Sequence, residues 1–262
     1  MIKALFFDID GTLVSFQTHD IPTSTIEALE AAKAKGIRIF ISTGRPPVII
    51  NNLQALQERN LIDGYITMNG AYCFVGNEVI YKSPIAPSEA KALIDFCVEN
   101  QKACIVVGEK DIHVCQENDE VRRIFYEALK VNKIPPIEAD AALRKEIFQL
   151  TPFITEEEEK GVKPDIPHCE IGRWYPSFAD ITAKGNTKQR GIDAIIGHFG
   201  LNLEETMAFG DGGNDIPMLR HAGIGVAMGN ASDEVKSHAD FITTSVDDGG
   251  IAHALRHFGI VE

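Results

Sequence analysis

A chain of 262 residues with 44% apolar side chains can build one large domain or two modest ones, which excludes intrinsic disorder. Its 38 acidic against 25 basic residues give a formal charge of −13 at pH 7, which argues against nucleic-acid and anionic-membrane partners. No apolar run approaches the ~18 residues of a bilayer span. Asp8 also interrupts the apolar start too early for a secretory leader, so a cytoplasmic location is expected. Five cysteines, an odd number without a CxxC pair, point to reduced, scattered thiols rather than a disulfide framework or a zinc site.

The first 70 residues alternate strand and helix. Residues 3–7 form a short apolar run ended by acidic residues, which predicts a strand. A helix is expected from Ser24, with Ser24-x-x-Glu27 as a capping box, Ile26, Leu29 and Ala32 on one face, and Gly36 as its stop. Residues 37–42 read as a second strand. Pro46 fits the first turn of a helix with the stripe Ile49, Leu53 and Leu56, and 65–68 reads as a third strand. Strands separated by helices imply crossovers and a parallel sheet. Segments 71–75 and 78–82 then flank Gly76-Asn77, a hairpin signal.

From 83 to 182 the pattern changes. A helix opens at Pro87, followed by strands at 103–107 and 111–115, a helix over 118–130, and an extended stretch at 148–153. Thr155-x-x-Glu158 caps a short acidic helix, and 169–174 and 178–182 form an antiparallel pair. The βα rhythm then returns, with helices from Thr187, from Asn214 and over 250–258, and strands at 206–209, 224–227 and 241–244. The expected fold is therefore α/β. A doubly wound, Rossmann-like parallel-sheet core comprises 1–82 and 183–262, and an α+β domain is inserted at 83–182.

Polar residues collect where the parallel strands end. Asp8 and Asp10 follow the first strand, Ser42-Thr43-Gly44-Arg45 the second, Asn69-Gly70 the third, and Gly210-Asp211-Gly212-Gly213-Asn214-Asp215 a fourth. That edge is where open α/β sheets bind ligands. Gly11 allows the chain to turn after the strand so that Asp10 can lie beside Asp8. With Asp211 and Asp215 nearby, these carboxylates need a cation, and all-oxygen ligation suits Mg²⁺. The spacing fits neither an EF-hand nor a P-loop.

The run Phe6-Phe7-Asp8-Ile9-Asp10-Gly11-Thr12-Leu13, together with Gly210–Asp215, resembles the haloacid dehalogenase superfamily of phosphatases. The order of the insert is similar to its Cof-type branch, which acts on small phosphate esters, often sugar phosphates. The resemblance implies Asp8 as nucleophile and Asp10 as general acid and base. It also implies Mg²⁺ on Asp8, the Asp10 main-chain carbonyl and Asp211, with Asp215 and Asn214 in support. Thr43, Gly44, Asn214 and a lysine would hold the phosphate; of Lys184 and Lys188, Lys188 is favoured because it falls in the first turn of a helix. Arg45, Asn69 and Arg173 are candidates for substrate specificity, Arg173 because Gly172-Arg173-Trp174-Tyr175-Pro176 joins a cation to aromatics. The expected partner is a small phosphorylated metabolite. A phosphomutase of the same superfamily and a phospho-acceptor signalling module are the alternatives.

Overall fold

Ala4–Phe7 is apolar without interruption, and the strand it forms, β1, is buried on both faces, as the middle of a parallel sheet requires. The computed structural model describes residues 1–128 and 131–262, apart from the side chains of Ala128 and Trp174. The chain forms two compact units. One comprises Met1–Arg45, Ile50–Lys82 and Thr187–Glu262, and the other Pro46–Ile49 and Ser83–Asn186.

In the first unit β1 is followed by β2 (Arg38–Ser42), β3 (Gly64–Thr67), β4 (Tyr72–Val75) and β5 (Glu78–Lys82). The second unit contains β6 (Cys104–Val107), β7 (Ile112–Cys115), β8 (Gln149–Pro152), β9 (Cys169–Tyr175) and β10 (Phe178–Ala183). The chain then adds β11 (Thr206–Gly210), β12 (Ile224–Ala227) and β13 (Phe241–Ile242) to the first unit.

The first sheet has the order β13-β12-β11-β1-β2-β3-β4-β5. Its strands are parallel from β13 to β3, and the β4–β5 hairpin extends it antiparallel. From β1 the chain steps outward through β2 and β3, then later outward on the other side from β11 to β13. The reversal falls between β1 and β11, where such sheets open a crevice at their strand ends. The second sheet, β7-β6-β8-β10-β9, is antiparallel throughout.

Alternation along the strands sorts the first unit's core into two layers. Leu5, Phe7, Ile39, Ile41, Met207 and Phe209 face the helices Thr23–Ala34 and Gly250–His257. Ala4, Phe6, Phe40, Ile66 and Ala208 pack with Ile192 and Ile195 of the helix Lys188–Phe199 and with Met218 and Leu219 of Ile216–His221. The rings of Phe7 and Phe209 stack across β1 and β11 with centroids 4.7 Å apart.

Local expectations fail where a single residue overrides the pattern. The helix expected from Ser24 starts at Thr23 behind Pro22, so Ser24 lies inside its first turn and no side chain caps it. The helix expected to open at Pro46 is two short pieces, Pro47–Ile49 and Gln54–Gln57, because Pro47 disfavours helical geometry at the residue before it. The helix expected over 118–130 keeps Asn118 as its cap but widens into π-type turns over Arg122–Ala128; Leu129 and Lys130 lie outside the described residues. The Thr155–Glu158 capping box forms as read from the sequence. All five cysteines are free.

Phe209 is fully buried and stacked at the centre of one layer. Phe209→Ala is expected to destabilise the chain by about 3–5 kcal/mol, measured by denaturant unfolding.

Candidate active site

Two residues beyond Phe6, Asp8 emerges on the same face of β1, toward the helix Lys188–Phe199. Lys188 precedes Ile192 and Ile195 by one and two turns, so the packing that seats those side chains under Phe6 aims Lys188 at Asp8. Its Nζ lies 2.5 Å from Asp8 Oδ1 and 2.5 Å from Asp215 Oδ1, with no exposed surface. Thr187 caps the helix by accepting from the Arg190 N–H. Gly70, at φ +93°, has no side chain to collide with the Thr187 backbone, so the helix start can sit close to the loop after β3.

Asp215 is fully buried and fully committed. While Oδ1 accepts from Lys188, Oδ2 accepts from the N–H groups of Asp211 (2.9 Å) and Gly212 (2.8 Å), shaping the loop after β11. Asp211 accepts from the Thr12 hydroxyl at 3.0 Å and from Asn230 Nδ2 at 3.2 Å. Asn230 also donates to the Gly11 carbonyl at 2.8 Å and accepts from the Val246 N–H, tying three loops together. A Cβ at Gly11 would overlap the Asp211 carboxylate, so glycine at φ +86° is what lets Asp211 approach. One carboxylate oxygen from each of Asp8, Asp211 and Asp215 lies within 4.8 Å of the others.

Asp10 turns away from this cluster. Both its oxygens accept from Arg45, Oδ2 from Nε and Oδ1 from Nη2, each at 2.7 Å. The Asp10 side chain is thereby committed to Arg45; the carboxylates that gather are those of Asp8, Asp211 and Asp215, and Asp10 enters the expected metal set only through its main-chain carbonyl. Thr43 is buried, and its hydroxyl oxygen accepts from the Arg45 N–H at 3.1 Å, leaving its own proton to donate. Gly44 N–H has no partner among the described residues. Asn69, in the left-handed region at φ +52°, accepts from Asn214 Nδ2 at 3.0 Å and so links the loops after β3 and β11.

Two candidates lie elsewhere. Lys184 is exposed in the second unit, whereas Lys188 is fully buried in the first. Arg173 is a structural clamp rather than a free specificity group. Its Nε and Nη2 hold Glu159, and its Nη1 donates to the carbonyls of Ile154, Tyr175, Pro176 and Phe178. The Trp174 side chain read with it lies outside the described residues. Asn230 escapes sequence reading, because a lone asparagine in a loop carries no spacing signal; Thr12 and Gly70 stand within the sequence motifs, but their spacing assigns them no role.

The family model for haloacid dehalogenase-like hydrolases matches residues 5–255. The chain belongs to that family. It is 67% identical to the protein BT4131, described as a HAD subclass IIB sugar phosphatase, whose structure superposes with a TM-score of 0.89 over 99% of this chain and 100% of the other. BT1666 from Bacteroides thetaiotaomicron is 37% identical, with a TM-score of 0.88 over 100% of this chain and 96% of the other. The Bacillus subtilis protein YkrA is 32% identical over 99% of both chains. The chain is thus a haloacid dehalogenase-like phosphatase, and among the described residues no helix is long and apolar enough to cross a membrane.

In this phosphatase three carboxylates gather near one ammonium, which bonds to Asp8 and Asp215. Burial pushes the Asp8 carboxyl well above the usual range; Lys188 opposes the shift, while Asp215 and Asp211 add to it. Burial, and then Asp215, push Asp211 up to about 6. Burial acts against the charge of Lys188, but Asp215 and Asp8 outweigh it and hold its pKa above the ordinary lysine value. The deficit of positive charge and the oxygen-only donors both fit a hard divalent cation held by Asp8 and Asp211.

Removing Lys188 leaves buried carboxylates without their counter-ion. Lys188→Met is expected to cost about 3–5 kcal/mol at pH 8. Protons relieve the stranded carboxylates, whose folded pKa values then exceed their unfolded ones, so the loss should shrink as pH falls toward about 5. Urea unfolding at both pH values checks the magnitude and the sign.

Proposed function

We propose that this phosphatase hydrolyses small sugar-phosphate monoesters through a phosphorylated Asp8, with Mg²⁺ as cofactor and the second unit acting as a cap. The observation that carries the reading is the state of Asp8. Lys188 takes Oδ1 and fixes the carboxylate, while Oδ2 has no partner among the described residues and is the oxygen left to attack. The sugar-phosphate class is supported by the 67% identity to BT4131 along the whole chain.

In the first step Asp8 Oδ2 bonds to phosphorus, the ester P–O bond breaks, and the leaving oxygen takes a proton from the Asp10 carboxyl. In the second, a water gives its proton to the Asp10 carboxylate and bonds to phosphorus. The Asp8–phosphorus bond breaks, and orthophosphate leaves. The Lys188 ammonium, the Thr43 hydroxyl and the Gly44 N–H offset the charge on the phosphoryl oxygens. When bound, Mg²⁺ on Asp8, Asp211 and the Asp10 main-chain carbonyl lessens the repulsion between a carboxylate and a phosphate dianion.

A panel of sugar phosphates, nucleotides and cofactor phosphates should release orthophosphate most readily among the sugar phosphates. Chelation should abolish the release and Mg²⁺ restore it. Transfer of the phosphoryl group to another sugar hydroxyl without orthophosphate would replace hydrolysis by a mutase reaction. Activity in excess chelator would remove the metal from the account.

Protons compete with the cation for Asp211, whose carboxyl is pushed up to about 6. The Mg²⁺ concentration for half-maximal activity should therefore rise as pH falls below about 6. Metal titrations at pH 5.5 and 7.5 measure this, and equal midpoints would contradict it.

A further inference from the structure

We propose that Arg45 is a positioning residue that acts through Asp10, setting the direction in which the acid/base carboxyl points. The inference rests on the reading of Asp10 as general acid and base. A single residue, Ile9, separates Asp8 from Asp10, yet only Asp8 joins the carboxylate cluster. Asp10 is drawn aside by a two-pronged contact, Nε to Oδ2 and Nη2 to Oδ1, both at 2.7 Å. A fork of this kind fixes the plane of a carboxyl as well as its position, which a point charge does not.

The backbone that carries the fork is itself held. The Arg45 N–H donates to Thr43 Oγ1 at 3.1 Å, and the Arg45 carbonyl accepts from the Met68 N–H at 3.2 Å. Met68 and Asn69 both lie in the left-handed region, at φ +50° and +52°, a conformation that non-glycine residues keep only when their surroundings impose it. Arg45 thereby connects the loop bearing Thr43 and Gly44 to the carboxyl that transfers the proton. Its side chain is 30% exposed and that of Asp10 36%, so water screens the pair and its contribution to stability is small. Its role is orientation.

Orientation of an acid matters most when the leaving group needs a proton. An alkyl sugar phosphate leaves as a poor alkoxide, whereas an aryl phosphate leaves with little assistance. Arg45→Ala should therefore lower kcat on an alkyl sugar phosphate by about 10-fold to 10²-fold and lower it distinctly less on an aryl phosphate. Arg45→Lys keeps the charge without the fork and should resemble Arg45→Ala.

The decisive measurement is a double-mutant cycle with Asp10→Asn on both esters. If Arg45 acts through Asp10, Arg45→Ala adds no further loss on the sugar phosphate once Asp10 is Asn. A loss of equal size in both backgrounds, equal on both esters and carried in KM, would mean that Arg45 binds the substrate phosphate directly and would overturn the proposal. Full activity in Arg45→Lys, or a faster Arg45→Ala enzyme, would overturn it too. If Asp10→Asn alone hydrolyses sugar phosphate normally, the acid/base reading fails and this inference with it. A slow Asp10→Asn protein with additive Arg45 effects sinks the inference alone. Thermal melting and Arg45→Gln separate misfolding from loss of orientation.

Discussion

One buried ammonium organises the strand ends of the first unit. Lys188 has no exposed surface and is shared by Asp8 and Asp215, and Asp215 in turn holds the N–H groups of Asp211 and Gly212. The position of Asp211 therefore depends on a charge that sits on a different element. Burying such a network is costly unless its polar atoms are satisfied, and here Lys188 donates to Asp8 and Asp215, both Asp215 oxygens are engaged, and Asp8 keeps one oxygen. The unsatisfied oxygen is the one proposed to attack phosphorus.

The topology explains why these residues meet. β1 lies between β2 and β11 at the point where the sheet reverses direction, so the loops after three neighbouring strands converge on Asp8. Strand alternation chooses the face, and the helix Lys188–Phe199 packs against that face through Ile192 and Ile195. Helical periodicity then leaves Lys188 at the end of the same stripe, under Asp8. Glycines complete the arrangement: Gly11 and Gly70 sit at positive φ where a side chain would strike Asp211 or the Thr187 backbone.

Residues that end strands were legible from the chain alone. An apolar run followed by acidic residues marks the end of β1, the gathering of Asp8, Asp211 and Asp215 follows from placing strand ends along one edge, and Lys188 follows from its place in the first turn of a helix. Side-chain direction within a loop was not legible. The Asp10 carboxyl faces Arg45 because of how two loops fold toward each other, which no spacing encodes. Arg173 misled for a related reason. A cation among aromatics reads alike whether its guanidinium is open or, as here, is closed on Glu159 and four carbonyls. The helix expected at Pro46 failed because the neighbouring Pro47 outweighs a three-residue apolar stripe.

The central claim is that Asp8 carries the phosphoryl group in transit. Rapid acid quench of the Asp10→Asn protein mixed with an aryl phosphate tests it most directly, since phosphorylation proceeds while water attack is slowed. The account predicts a burst of leaving group near one equivalent and a hydroxylamine-labile phosphoryl group on the peptide containing Asp8. The same adduct in Asp8→Asn, or its attachment to another residue, would contradict the account.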